Sequence, residues 1–166
     1  ATSPIIAPYL EQTIGAGPLY MGLFWGGFSI AMTVLTPIGG TYTNSFGKVR
    51  GILTGKFIWV IVIFAVALFQ YWYVPILMYV VGAIGTAISG PAMGTLQYET
   101  APDEKQGSII GVYSMFGSAG LAIGPVAAGA FASATSYQLA FIAVGILYAV
   151  DVLVLHRGFL MTDKVG

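Results

Sequence analysis

Apolar residues run along this chain in blocks too long for the core of a soluble domain, and polar residues gather in the short intervals between them. The blocks cover about Pro18 to Ile38, Ile52 to Gln70, Pro75 to Leu96, Gly107 to Phe131 and Leu139 to Leu155. At about 1.5 Å per helical residue, each is long enough to cross the roughly 30 Å hydrocarbon layer of a bilayer, with or without help from its flanks. The pattern predicts an all-α membrane protein with five complete transmembrane helices. The opening, residues 1–16, is broken by Pro4 and Pro8 and too short to span, yet too apolar for a free tail, so it reads as the end of a sixth helix. The first interval, Gly39 to Gly51, reads as a loop, and Tyr71, Trp72 and Tyr73 form an aromatic connection suited to the bilayer interface.

Composition supports this reading. The chain of 166 residues is 57% hydrophobic and 7% charged, with a mean hydropathy of +0.87; soluble domains carry about 25% charged residues. Six basic and six acidic residues cancel, which leaves no basic surface for nucleic acid. There is no cysteine and one histidine, His156, so disulfides, thiol nucleophiles and thiolate metal sites are excluded. No aspartate pair, His-Glu zinc motif or Ser-His arrangement is present to suggest a membrane protease. The chain is expected to be no enzyme and to need no cofactor or metal. It starts at Ala1 without an initiating methionine or a positively charged leader, and is read as a piece of a longer protein.

Charge also orients the spans. Lys48, Arg50, Lys56, Lys105, Arg157 and Lys164 all flank the first and third intervals or the tail, and the other intervals contain no basic residue. Positive residues stay on the cytoplasmic side, so the carboxyl terminus is expected in the cytoplasm. With the sixth helix restored, both ends would lie inside.

The spans differ in polarity, and polar side chains in lipid are costly unless they face protein or water. The second span has no polar side chain between Phe57 and Phe69 except the Trp59 indole, and is expected at the lipid-facing periphery. The fifth is similar until Asp151, whose position near the cytoplasmic end suits an interfacial carboxylate. Spans one, three and four carry stripes of small and hydroxyl residues that return to one helix face. The stripes are Gly22, Gly26, Ser29, Thr33 and Thr36; Gly82, Thr86, Ser89, Met93 and Gln97; and Ser114, Ser118 and Pro125. A second face of span three, Ala83, Ala87, Gly90 and Gly94, reads as packing surface, as does the line Tyr113, Gly117, Gly120, Gly124 and Ala128 in span four. Hydroxyl residues in membrane helices often serve only packing, but confinement of the stripes to three of the spans points to a pathway.

Two motifs carry a family resemblance. The first interval contains Gly40, Asn44, Ser45, Gly47, Lys48 and Arg50, which resembles the G-x-x-x-D-R-x-G-R-R loop of the major facilitator superfamily in its looser second copy. Asn44 and Ser45 replace Asp-Arg, which would weaken an ion-pair latch there. In span four Gly111, Gly120, Gly124 and Pro125 fit the G-x8-G-x3-G-P-x2-G-G pattern of its drug:proton antiporters, with Ala128-Gly129 as the final pair. The stretch Gly107 to Pro125 is also similar to the eleventh helix of vesicular amine transporters, and the opening to the end of a seventh helix. The resemblance covers nearly the whole chain. It implies half of a twelve-helix fold, with residues 1–16 ending helix seven and the blocks forming helices eight to twelve.

By the same resemblance, the protein is expected to be a secondary active transporter working by alternating access in efflux or antiport, and its uncharged, hydroxyl-lined spans suggest a small, weakly polar or amphipathic solute. Its partners would be its own amino-terminal half, the bilayer, the solute and protons, and Tyr113 would join the hydroxyl stripes in the pathway. The Gly124-Pro125 step would bend. Ser114 stands where the vesicular amine transporters place a buried acid, leaving Glu11 and Glu99 at the span ends as the acids of this chain that could couple protons. A transporter-like sensor or scaffold is the alternative.

Overall fold

Prolines begin two of the long helices, in the first-turn positions where a missing N–H leaves nothing unpaired. The computed structural model of the chain describes residues 3–69 and 71–162. In chain order the helices are α1 (Ser3–Ile14), α2 (Pro18–Phe46), α3 (Lys48–Leu68), α4 (Val74–Thr100), α5 (Gln106–Ala134) and α6 (Tyr137–Thr162). A 3₁₀ turn, Asp103–Lys105, leads into α5. Helices α2 to α6 are all long and apolar enough to cross a membrane, and no strand occurs among the described residues. The expected end of the second span, Gln70, lies outside the described residues, as does Lys164.

The first interval is helical rather than a loop. α2 continues through Phe46 and α3 starts at Lys48, so the reversal is confined to Gly47. Gly47 has φ +94° and its N–H donates to the Thr43 carbonyl at 3.0 Å; a side chain is strained in that backbone region. The tail after Leu155 is likewise helical, through Thr162.

The centre of the bundle is a three-helix contact. α4 packs along its length against both α2 and α3, and α3 packs on its other side against α6. Small residues set these contacts. A methyl group on Gly39 would overlap the Ala87 carbonyl, and one on Gly55 would overlap the Gly85 carbonyl. Ala83 and Ala87 are fully buried, but Gly90 is exposed and an added methyl group at Gly90 or Gly94 would meet nothing within 4 Å, so the expected packing face of α4 is closed in its first half and open in its second. Above them an aromatic cluster fills the space between the same helices: Phe24 lies 4.5 Å from Tyr79, and Trp59 meets Tyr79 edge to face at 5.4 Å.

α3, expected at the lipid-facing periphery, has an open apolar side and a packed one. Phe57, Ile61 and Leu68 are exposed, but Val62, Ile63, Val66 and Ala67 are buried within the bundle. Lipid and neighbouring helices are equally apolar, so an apolar span is suited to either surroundings.

α5 is the opposite case. Its one buried residue is Ala132, and beyond α6 and α1 it touches α4 only lightly. At Gly111, Gly117, Gly120 and Gly129 an added methyl group would meet nothing within 4 Å. The line of small residues expected to pack against a helix therefore stands largely open.

These contacts predict different outcomes for one substitution at three glycines. Gly39→Ala and Gly55→Ala should each lower unfolding stability in detergent by about 1–3 kcal/mol through overpacking. Gly22→Ala, with open space around it, should be neutral or gain up to about 1 kcal/mol of helix propensity. Thermal unfolding followed by circular dichroism would distinguish the three.

Candidate functional site

The hydroxyl residues of α2 use their own backbone. Ser29 donates to the Trp25 carbonyl at 2.9 Å, Thr33 to Ser29 at 2.9 Å and Thr36 to Met32 at 2.6 Å. This satisfies each proton inside the helix and leaves the oxygen lone pairs facing outward. Ser29 and Thr33 are exposed, on a face shared with Ile30 and Val34, whereas Thr36 is half-buried. On α5, Tyr113, Ser114 and Ser118 are exposed, as are Gly111 and Gly120, while Gly124, Pro125 and Gly129 are half-buried.

The stripe on α4 is placed differently. Thr86 accepts a hydrogen bond from the Trp59 indole at 2.8 Å and donates to the Gly82 carbonyl. Ser89 donates to the Gly85 carbonyl at 2.8 Å and lies against Gly55. Both therefore sit on the α3–α4 contact, and Met93, one turn further, is half-buried. The open face of α4 is a line the polarity pattern passed over: Leu77, Val81, Ile84, Thr95 and Tyr98. Leu77, Val81 and Ile84 recur at helical spacing, as do Thr95 and Tyr98 three turns further on, which was the available signal, but four of the five are apolar or aromatic. The structure thus leaves open faces on α2, α4 and α5, and brings Thr86 and Ser89 to α3 instead.

The ends of the bundle differ in chemistry. At one end lie the turn at Gly47, the 3₁₀ turn and the carboxyl end of α6, together with Lys48, Arg50, Lys105 and Arg157. Here Lys48 is ion-paired with Glu99, joining the start of α3 to the end of α4. Asn44 and Ser45 lie in the last turn of α2, and the ion pair at this corner is made by Lys48 of α3. Deeper along α3, Lys56 pairs with Asp151 of α6 at 2.5 Å and lies 5.3 Å from the centre of the Tyr148 ring. Asp151, its side chain 46% exposed, thus ties α6 to α3.

The opposite end is held by aromatic and amide groups. Tyr20 donates to the Trp72 carbonyl, Tyr71 stacks on Tyr73, and Tyr137 donates to Gln12 at 2.9 Å. Glu11 is exposed on α1 at this end. Among the described residues no cluster of three or more acidic or histidine side chains could hold a metal.

The fold and its faces define a multi-pass α-helical membrane protein, with polar lone pairs on otherwise apolar open helices. The profile of the Major Facilitator Superfamily matches residues 1–164, and the chain belongs to that family, one of transporters rather than enzymes. It is similar to an uncharacterized MFS-type transporter of Methanocaldococcus jannaschii, 28% identical over 150 residues, 87% of this chain and 37% of that protein. It is also similar to the quinolone resistance protein NorA of Staphylococcus aureus, 25% identical over 157 residues, 92% of this chain and 40% of NorA. The chain thus spans about two fifths of the length of the curated relatives it matches.

The two ion pairs can be compared by double-mutant cycles. Lys48 and Glu99, with side chains 30% and 54% exposed, should couple by about 0.2–1 kcal/mol and lose that coupling as salt is raised. Lys56 is more sheltered, at 20%, so its coupling to Asp151 should be larger and less sensitive to salt. Unfolding in detergent at two ionic strengths measures both.

Proposed function

We propose that this chain is the carboxyl-terminal half of a secondary active transporter that moves a small, weakly polar or amphipathic solute by alternating access. The observation that carries the reading is α5, a membrane-length helix with one buried residue, whose exposed face bears small residues and the hydroxyls of Ser114 and Ser118. An apolar helix that long gains packing when a second body closes over it, and rocking of two halves around a midplane site supplies such a body. The open faces of α2, α4 and α5 would line the pathway, with Ser29, Thr33, Tyr113, Ser114 and Ser118 offering hydrogen bonds. The partner would be the amino-terminal half. A relative named for quinolone resistance favours export of an amphipathic solute.

On this reading the end bearing the basic residues is cytoplasmic, which places the carboxyl terminus there. Lys48 and Glu99 would form a cytoplasmic latch, and Gly124-Pro125 the bend of α5, since proline removes one helical hydrogen bond. With Glu99 engaged by Lys48, coupling to protons would fall to Glu11 or to an acid in the amino-terminal half.

The test uses single cysteines in the longer protein reconstituted into vesicles. Cysteines at Ser29, Thr33, Ser114 and Ser118 should react with a water-soluble thiol reagent and be protected by transported solute. Those at Thr86 and Ser89, against α3, should be inert. Equal inertness at all six positions would remove the pathway, and absence of solute flux in vesicles carrying an ion gradient would remove the transporter reading.

A further inference from the structure

A polar hollow of about 490 Å³ lies at the end of the bundle away from the basic residues, within the roughly 300–1,000 Å³ usual for small-molecule sites. α1 supplies Gln12 and Thr13 to its wall, the last turn of α5 supplies Ser133, and the turn into α6 supplies Thr135, Tyr137 and Gln138. No charged side chain lines it. Glu11 is next to Gln12 in sequence, but successive helical residues point about 100° apart, which takes it off the face that Tyr9, Gln12 and Thr13 share.

The hydrogen bonds already made define what the wall offers a guest. Tyr137 donates to the Gln12 side-chain oxygen at 2.9 Å, so the part of Gln12 left for a ligand is its NH₂ group, a donor. Ser133 donates to the Gly129 carbonyl at 2.9 Å and Thr135 to the Phe131 carbonyl at 2.7 Å, so their oxygens remain as acceptors. The Tyr137 ring and Ala132 add an apolar patch to the same wall. Tyr9, which also lines the hollow, is 2% exposed, and its hydroxyl has no hydrogen-bond partner among the described residues. Buried hydroxyls are seldom left in that state without water or a ligand nearby.

We propose that this hollow binds a neutral polyhydroxyl ring of hexose size, either a free glycoside or the sugar headgroup of a glycolipid. Hydroxyl groups both donate and accept, so a ring that carries several can pair with amide donors and hydroxyl acceptors in one lining. Its C–H face would lie on the Tyr137 ring and Ala132. An ion would lose water here without gaining a counter-charge, and an apolar guest would leave the amides and hydroxyls unpaired. A sugar held between Gln12 and the turn into α6 would also reinforce the docking of α1. None of the residues proposed to line the solute pathway takes part, so the site stands independently of transport.

Saturation-transfer NMR on the whole longer protein in phosphatidylcholine nanodiscs tests this, with methyl β-glucopyranoside as probe and empty discs as blank. Transfer to the ring protons above the blank is expected. Gln12→Ala and Gln138→Ala, both at exposed positions, should each weaken binding about 2–10-fold through one lost hydrogen bond. Ser29→Ala and Ser114→Ala, on the proposed pathway, should leave it unchanged. No transfer above the blank would overturn the proposal. So would binding that the serine variants weaken and the glutamine variants do not, because the sugar would then occupy the pathway. Discs that also carry monoglucosyl diacylglycerol identify the source: loss of the free-glucoside signal assigns the hollow to a lipid headgroup, and an unchanged signal assigns it to a free solute. Binding in a protein that shows no solute flux would keep the site and remove the transport reading.

Discussion

The approach of α4 to two helices at once, through positions where no side chain intervenes, is the constraint on which this bundle depends. In lipid, helices gain little by hiding apolar surface from one another, so they associate by close van der Waals packing, which small residues allow. Gly39 against the Ala87 backbone and Gly55 against Gly85 bring α2 and α3 to opposite sides of α4. The rings of Phe24, Trp59 and Tyr79 pack against one another between the same three helices. α6 then joins on the far side of α3, and the Lys56–Asp151 pair holds that junction.

This packing explains the contrast between α3 and α5. Both are apolar, and a hydropathy profile treats them alike. α3 carries branched and aromatic side chains that fill space among its neighbours, while α5 carries glycine, alanine and serine along a face with nothing against it. In a family whose transporter relatives are about two and a half times as long as the matched region, such a face is where a further helix or the solute pathway would meet the chain. The ion pairs at the basic end and the hydrogen-bonded aromatic groups at the other differ in the same sense. Charges sit where water screens them, and Tyr and Trp sit where one end of the ring is apolar and the other can reach water.

What was legible in the sequence was whatever depends on one helix at a time. Span number and approximate position follow from the length of apolar runs, because a bilayer has a fixed thickness and an unpaired backbone cannot cross it. The grouping of basic residues, the α4 packing face at Ala83 and Ala87, and the glycine motif of α5 were readable for the same reason. Helix ends were less so: the segment from Gly40 to Phe46 has turn-like composition, yet continues α2 because one glycine at Gly47 suffices for the reversal.

Only the tertiary structure decided which neighbour each face meets. Helical periodicity places Gly82, Thr86 and Ser89 on one side of α4, but both a water-filled pathway and an adjacent helix accept small and hydroxyl residues. The Trp59 indole on Thr86 and Gly55 against Ser89 resolve that ambiguity in favour of α3. Pairings between distant positions, Lys48 with Glu99 and Lys56 with Asp151, were hidden for a related reason. A charge near a helix end satisfies the bilayer whether it meets water or a partner, and the partner is set by how the helices pack.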